Sequence, residues 1–337
     1  MSQGRVALRH AVAVVVALGA LVLGDVVPPD RARPASAAAQ AAKPNSVTAY
    51  GSAPNQGPDG SAPFPRPPVA IARAGAERTA GYWLASDDGA VRSYGTARFF
   101  GALSPKPAHP VVGIAALPSG AGYWLVATDG GVFAFGAAPF LGSLGDRHLA
   151  SPIVGMAATP SGTGYWLVAA DGSLFAFGDA PYLGAPAGSA LHGAVVGLAS
   201  SPTGRGYWLA AEDGGVFAYG DAGFLGAMDA GKLPAPVSAI AAPASGGGYW
   251  LLGRDGQIYA FGLPDQGSPA DGGAVEGTAV GLAASANDGY WIVHGEPFVT
   301  APGESGPEVI ALQHRLTDLG YWVGPSISGT FDDNTRQ

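Results

Sequence analysis

The chain has 337 residues, a formal charge of −8 and 47% hydrophobic residues. A chain this acidic carries no electrostatic footprint for DNA or RNA, and its apolar share is that of a protein that buries a core. It contains no cysteine, which excludes a disulfide framework, a thiolate metal site, a cysteine nucleophile and a lipid-modified N-terminal cysteine.

At the N-terminus, Arg5, Arg9 and His10 precede an apolar run over 11–23, and Asp25 follows. A membrane-spanning helix needs about 20 apolar residues, so this run is too short to cross. It fits the apolar core of a secretory signal, and "PASAAAQ" (34–40) offers small-residue cleavage sites after Ala37 or Ala39. Residues 1–37 are therefore expected to be a signal peptide. The gap between the apolar run and Ala37 is long, which leaves an uncleaved signal anchor as the alternative. The protein is expected to be exported, extracellular or wall-associated, and to touch the membrane only if that segment stays uncleaved. Residues 38–45 read as linker.

From residue 46 to 298 the dominant signal is repetition. "GYW" recurs with its Trp at 83, 124, 166, 208, 250 and 291, a period of 41 or 42 residues. One repeat reads "IVGMAATPSGTGYWLVAADGSLFAFGDAPYLGAP" from residue 153, with four short β-like runs separated by turn residues. Four strands per period of this length predict propeller blades, so the expected fold is an all-β, six-bladed β-propeller. The first run of each repeat is small, as in Val112-Gly113-Ile114-Ala115, and suits a crowded innermost strand; these runs start near Val69, Val111, Ile153, Val195, Val237 and Ala279. The six Trp are expected between blades as core, in preference to platforms for sugars or bases. Asp-Gly recurs at 88–89, 129–130, 171–172, 213–214 and 255–256. It predicts a tight hairpin turn, because Gly and to a lesser degree Asp tolerate positive φ.

The sixth repeat is incomplete where it stands: it has the runs 279–285 and 288–294 but no Asp-Gly after them. Its missing half is at the other end of the domain. "SVTAYGSAPNQG" (46–57) matches "GVFAFGAAPFLG" (131–142) at Val47, Ala49, Gly51, Ala53, Pro54 and Gly57, with Tyr50 for Phe135. Residues 46–51 are thus expected to pair beside 288–294 and close the ring within one blade, leaving no sheet edge open.

Chemistry is sparse. The first runs contain no Asp, Glu, His or Lys in their apolar cores, and His109, His148 and His192 fall in loops between repeats at different offsets. His294 takes the place of a turn, and His314 lies beyond the repeats. No nucleophile elbow, zinc-protease, P-loop or dinucleotide fingerprint is present. No catalytic residue, metal site or cofactor is expected.

The repeats "GYWLVATDGGVFAFGAAPFLG" (122–142) and "GYWLAAEDGGVFAYGDAGFLG" (206–226) resemble a bacterial family of exported propeller proteins. The resemblance implies an interaction platform for a protein or glycan, without naming the ligand.

After a linker at 299–304, residues 305–337 change to helical periodicity, with Val309, Leu312, Leu316 and Leu319 on one face. Ser305 and Glu308 form a capping box and Gly320 sits where a helix would end. With Leu312, Gln313, Leu316, Gly320, Tyr321, Gly329, Phe331 and Thr335, the segment resembles the first part of the helical peptidoglycan-binding domain of wall hydrolases and transpeptidases. That resemblance implies contact with peptidoglycan. The chain reaches Gln337 before the second helix that completes the family's core, so a partial domain is expected. The leading expectation is a non-enzymatic cell-envelope protein. The alternative is the non-catalytic front of a longer wall-remodelling enzyme, such as an L,D-transpeptidase or a wall hydrolase.

Overall fold

Each repeat supplies one run dominated by aromatic and aliphatic side chains, and that run becomes the middle of a sheet. The computed structural model describes residues 43–57, 66–75, 81–186, 191–228, 230–272, 277–286 and 289–295. The predicted export signal and the whole C-terminal segment lie outside them. Among the described residues, regular structure is all β apart from two 3-10 turns, Ala230–Lys232 and Pro269–Gly272.

The strands form six three-stranded antiparallel sheets. The first sheet is β2 (Pro68–Arg73), β3 (Tyr82–Ser86) and β4 (Val91–Tyr94). The second is β5 (Val111–Ala116), β6 (Gly122–Ala127) and β7 (Val132–Gly136); the third is β8 (Ile153–Ala158), β9 (Gly164–Ala169) and β10 (Leu174–Gly178). The fourth is β11 (Val195–Ser200), β12 (Gly206–Ala211) and β13 (Val216–Gly220). The fifth is β14 (Val237–Ala241), β15 (Tyr249–Gly253) and β16 (Ile258–Phe261). The sixth joins β17 (Thr278–Ala284) and β18 (Tyr290–Gly295) to β1 (Ser46–Tyr50) from the far end of the domain.

Side chains alternate between the two faces of a strand, so a strand covered on both faces reads as a continuous apolar run. The middle strands obey this. Trp124 and Val126 of the second sheet pack against Tyr165 and Leu167 of the third. The same layer recurs between each sheet and the next, and Trp291 and Val293 of the sixth sheet pack against Tyr82 and Leu84 of the first. The Trp–Tyr ring centroids lie 5.5 Å apart for Trp124–Tyr165 and 5.2 Å apart for Trp291–Tyr82. The tryptophans are therefore core between sheets, as their spacing implied. Every first strand carries a β-bulge at one equivalent place, for example between Val111 and Gly113 and between Ala279 and Gly281. A bulge adds local twist to the strand that carries it.

The fourth run of each repeat, expected as a strand, is instead an irregular strap. Proline at 139 has no N–H to give a ladder, and Gly142 at φ 131° leaves the strand conformation. Side chains take up the strap's carbonyls in place of a neighbouring strand. Trp124 Nε1 donates to Pro139 O at 2.7 Å, and Tyr165 of the next sheet donates its hydroxyl to Gly142 O at 2.5 Å. The straps of the first five sheets are thus tied to their own sheet by Trp and to the following sheet by Tyr. Each sheet therefore has three strands, not four, and a strap follows its third strand.

The Asp-Gly turn also differs in detail from expectation. Gly130 has φ 80°, but Asp129 does not share a positive φ; the only such non-glycine among the described residues is Asn45. Gly130 N–H bonds Ala127 O and Ala127 N–H bonds Gly131 O, which makes a three-residue loop with glycine at the left-handed position. Asp129 contributes through its side chain, its Oδ1 accepting from Gly131 N–H at 2.9 Å.

The pairing of the two ends is present. β1 runs antiparallel to β18 with Ser46 opposite His294 and Tyr50 opposite Tyr290. Trp291 Nε1 donates to Pro54 O at 2.9 Å, the bond that Trp124 makes to Pro139. Val47 is buried in the core it shares with Trp291 and Ile71. One bond of the set is missing. The Tyr82 hydroxyl, which by position should reach Gly57, is buried without a partner among the described residues. This contrast yields a matched pair of substitutions. Tyr165→Phe should cost about 1 kcal/mol, the net worth of a buried neutral hydrogen bond, whereas Tyr82→Phe should be neutral or slightly stabilising. Urea unfolding midpoints of the two variants against the parent chain measure the difference.

Candidate functional site

The straps carry the surface feature that repetition alone does not explain. At one equivalent position stand Phe99, Phe140, Tyr182 and Phe224, and all four are exposed, Phe140 and Tyr182 by 63%. Large aromatic rings left in water on a folded surface mark contact sites more often than isolated aliphatics do. The residue after each ring reaches the next sheet, although Leu183 and Leu225 remain exposed themselves, by 38% and 43%. Leu141 lies against Gly178, where a Cβ would come within 2.9 Å of its Cδ1, and Leu183 meets Gly220 in the same manner. The second residue thus touches the next sheet, and the first presents a ring to water.

The strap is well fixed beneath the rings, by the Trp and Tyr hydrogen bonds already described. Burial raises the hydroxyl pKa of Tyr207 and Tyr249 to about 12, so those donors to Gly184 and Gly226 stay protonated at any physiological pH. The fifth and sixth sheets break the pattern. They carry Asp265-Gln266 and Asn55-Gln56 where the others have aromatic-Phe or aromatic-Leu pairs. Asp265 turns its Oδ1 onto the N–H of Gly267 at 2.8 Å. The rings therefore occupy four consecutive sheets and leave two polar.

The histidines do not converge. His109 borders a cleft of about 390 Å³ with Lys106, Asp129 and Phe133, its Nε2 4.0 Å from Asp129 Oδ2. His192 borders a second, more open cleft beside Asp171 and Glu212, where Glu212 Oε1 accepts from the N–H of Ala194. Among the described residues no three His, Asp or Glu are grouped as metal ligands would be.

Two carboxylates hold hairpins on the third and fourth sheets. Asp179 accepts from Ser161, Thr163 and Thr159, and Asp221 accepts from Thr203 and Ser201. These hydroxyls, Ser161 foremost for Asp179 and Thr203 for Asp221, hold both carboxyls below their usual pKa. Their bonds are all used within the loop, which makes them braces.

His294 is not in a turn, as its place in the repeat suggested, but inside β18, fully buried. Its Nε2 pairs with Thr48 Oγ1 of β1 at 2.9 Å, and its Nδ1 has no partner among the described residues. Burial lowers its pKa to about 4, so the ring is neutral at pH 7.

The predicted peptidoglycan contacts, Leu312, Gln313, Leu316, Gly320, Tyr321, Gly329, Phe331 and Thr335, lie outside the described residues. The exposed rings were visible in the sequence as the aromatic position of the A-x-aromatic-x-Gly run. Reading that run as a strand hid which of its side chains faces water. No protein-family model matches the sequence, and no curated protein matches it.

Because the rings are exposed and belong to no core cluster, Phe140→Ala, Tyr182→Ala and Phe224→Ala combined should leave Tm within about 2 °C of the parent. Leu141→Ala alone, which empties a seat on the next sheet, should lower Tm by more than the three together. Differential scanning calorimetry on both variants compares them directly.

Proposed function

We propose that the protein is an exported, non-enzymatic component of the bacterial cell envelope. Its six sheets are the blades of a closed six-bladed β-propeller, and its C-terminal segment contacts peptidoglycan. What supports the ring is the recurrence of one junction at every step, the Trp of each sheet on the Tyr of the next, with Trp291 on Tyr82 joining sixth to first.

The observation that carries the binding role is the row of four exposed rings on pinned straps. A rigid loop that presents an aromatic face to water loses little entropy when a partner covers it. Rings of this kind suit the apolar face of a sugar or an apolar side chain. The N-terminal signal features support export, and the helical motif at 305–337 supports the wall as the anchoring surface.

Purified insoluble cell wall, incubated with the full chain and with a version ending at Thr300, tests the assignment. The full chain should sediment with the wall and the shortened chain should stay in solution. Equal retention of both would remove peptidoglycan contact from the C-terminal segment.

A further inference from the structure

The sixth sheet differs from the other five in two ways that meet at one residue. Among the described residues it is the only one assembled from both ends of the domain, and it alone buries a histidine, His294, in its middle strand. At the equivalent position the second, third and fourth sheets carry Ala127, Ala169 and Ala211. We propose that His294 makes the seam between β1 and β18 an acid-sensitive clasp, so that mild acid releases β1 while the other five sheets stay folded.

The surroundings of the ring supply the chemistry. From β1, Ser46 stands opposite His294 and Thr48 pairs with its Nε2. From β17, Ala279 stands opposite. Ser46 spends its hydroxyl on Lys43 O at 2.6 Å. The depressed pKa traces to burial alone, with no carboxylate or cation contributing. A neutral imidazole is satisfied by one bond to Thr48 and tolerates an unpaired ring nitrogen. An imidazolium has two N–H donors and a charge, and among the described residues only one of them, at Nε2, has a partner.

Relief requires water at Nδ1. β1 is the edge strand of its sheet, paired on one side only, so lifting it is the shortest route for water to reach the ring. The sign follows from linkage. With the ring's pKa lower in the closed state than in the open state, the open state binds the extra proton. Closure is therefore at full strength above the free-histidine pKa of about 6.5 and weakens as pH falls below it. The braces of Asp179 and Asp221 respond at lower pH, because their carboxyls titrate below the usual carboxylate range. This inference rests on the strand pairing and stands apart from the wall-binding reading.

Hydrogen exchange on the full chain between pH 7.5 and 4.5, corrected for intrinsic rates, tests it. Protection over 46–50 should fall by about tenfold per pH unit below pH 6.5, while β9 keeps its protection. His294→Gln, which can hold the bond to Thr48 without titrating, should flatten that dependence. Unchanged protection over 46–50, an equal slope in His294→Gln, or parallel loss in β9 would each overturn the clasp. A readout that needs no variant is the NMR titration of the His294 ring in the parent chain. Titration below pH 5 fits the proposal, and titration near 6.5 overturns it.

Discussion

The indole of the repeated Trp is the part on which the rest of the architecture hangs. Its ring face lies against the Tyr of the next sheet, and its Nε1 holds the carbonyl of its own strap, as in Trp166 with Tyr207 and Pro181. One side chain therefore sets the distance between sheets and the path of the chain that leaves the sheet. The Tyr it touches then bonds the strap's glycine, so three groups from two neighbouring sheets lock each other. Because the strap's polar groups are met in this way, it can afford proline and a glycine outside the strand region. A repeat unit with three strands is then complete without a fourth.

Much of this was legible from residue order. The period, the turn residues, the order of the runs and the split sixth sheet all follow from comparing repeats, and Val47, Tyr50 and Pro54 stand where the comparison placed them. The fourth run was misread because its aromatic-Leu pair alternates like a strand. What decides against a strand is the fate of its backbone groups, and that depends on an indole and a phenol from elsewhere in the chain. Local pattern does not record such partners. The same limit applies to His294, whose repeat position suggested a turn. Its burial comes from β1, which lies 246 positions away in sequence.

The candidate surface was half legible. Aromatic residues at 99, 140, 182 and 224 recur at nearly equal intervals, so their equivalence is visible by inspection. Their exposure is not, because the same residue type at the same interval is half-buried in β7 and β10 or exposed on the strap according to which way the backbone turns. The polar replacements at 55 and 265 take on meaning only once the strap is seen to present one side chain outward. Repetition fixes the frame, and departures from repetition mark where sheets have been assigned different tasks.

The sixth sheet has a consequence for how the chain is made. β1 is among the first parts of the domain to be synthesised, yet its partner β18 appears only after five other sheets have been completed. During that interval the first strand has no edge to pair with, and the aromatic face of Tyr82 has no Trp to cover it. The first five sheets can form in sequence, each against the one before, but the seam waits for the end of the domain. Under the proposed export, that delay would keep the earliest segment from locking until the last repeat has crossed the membrane.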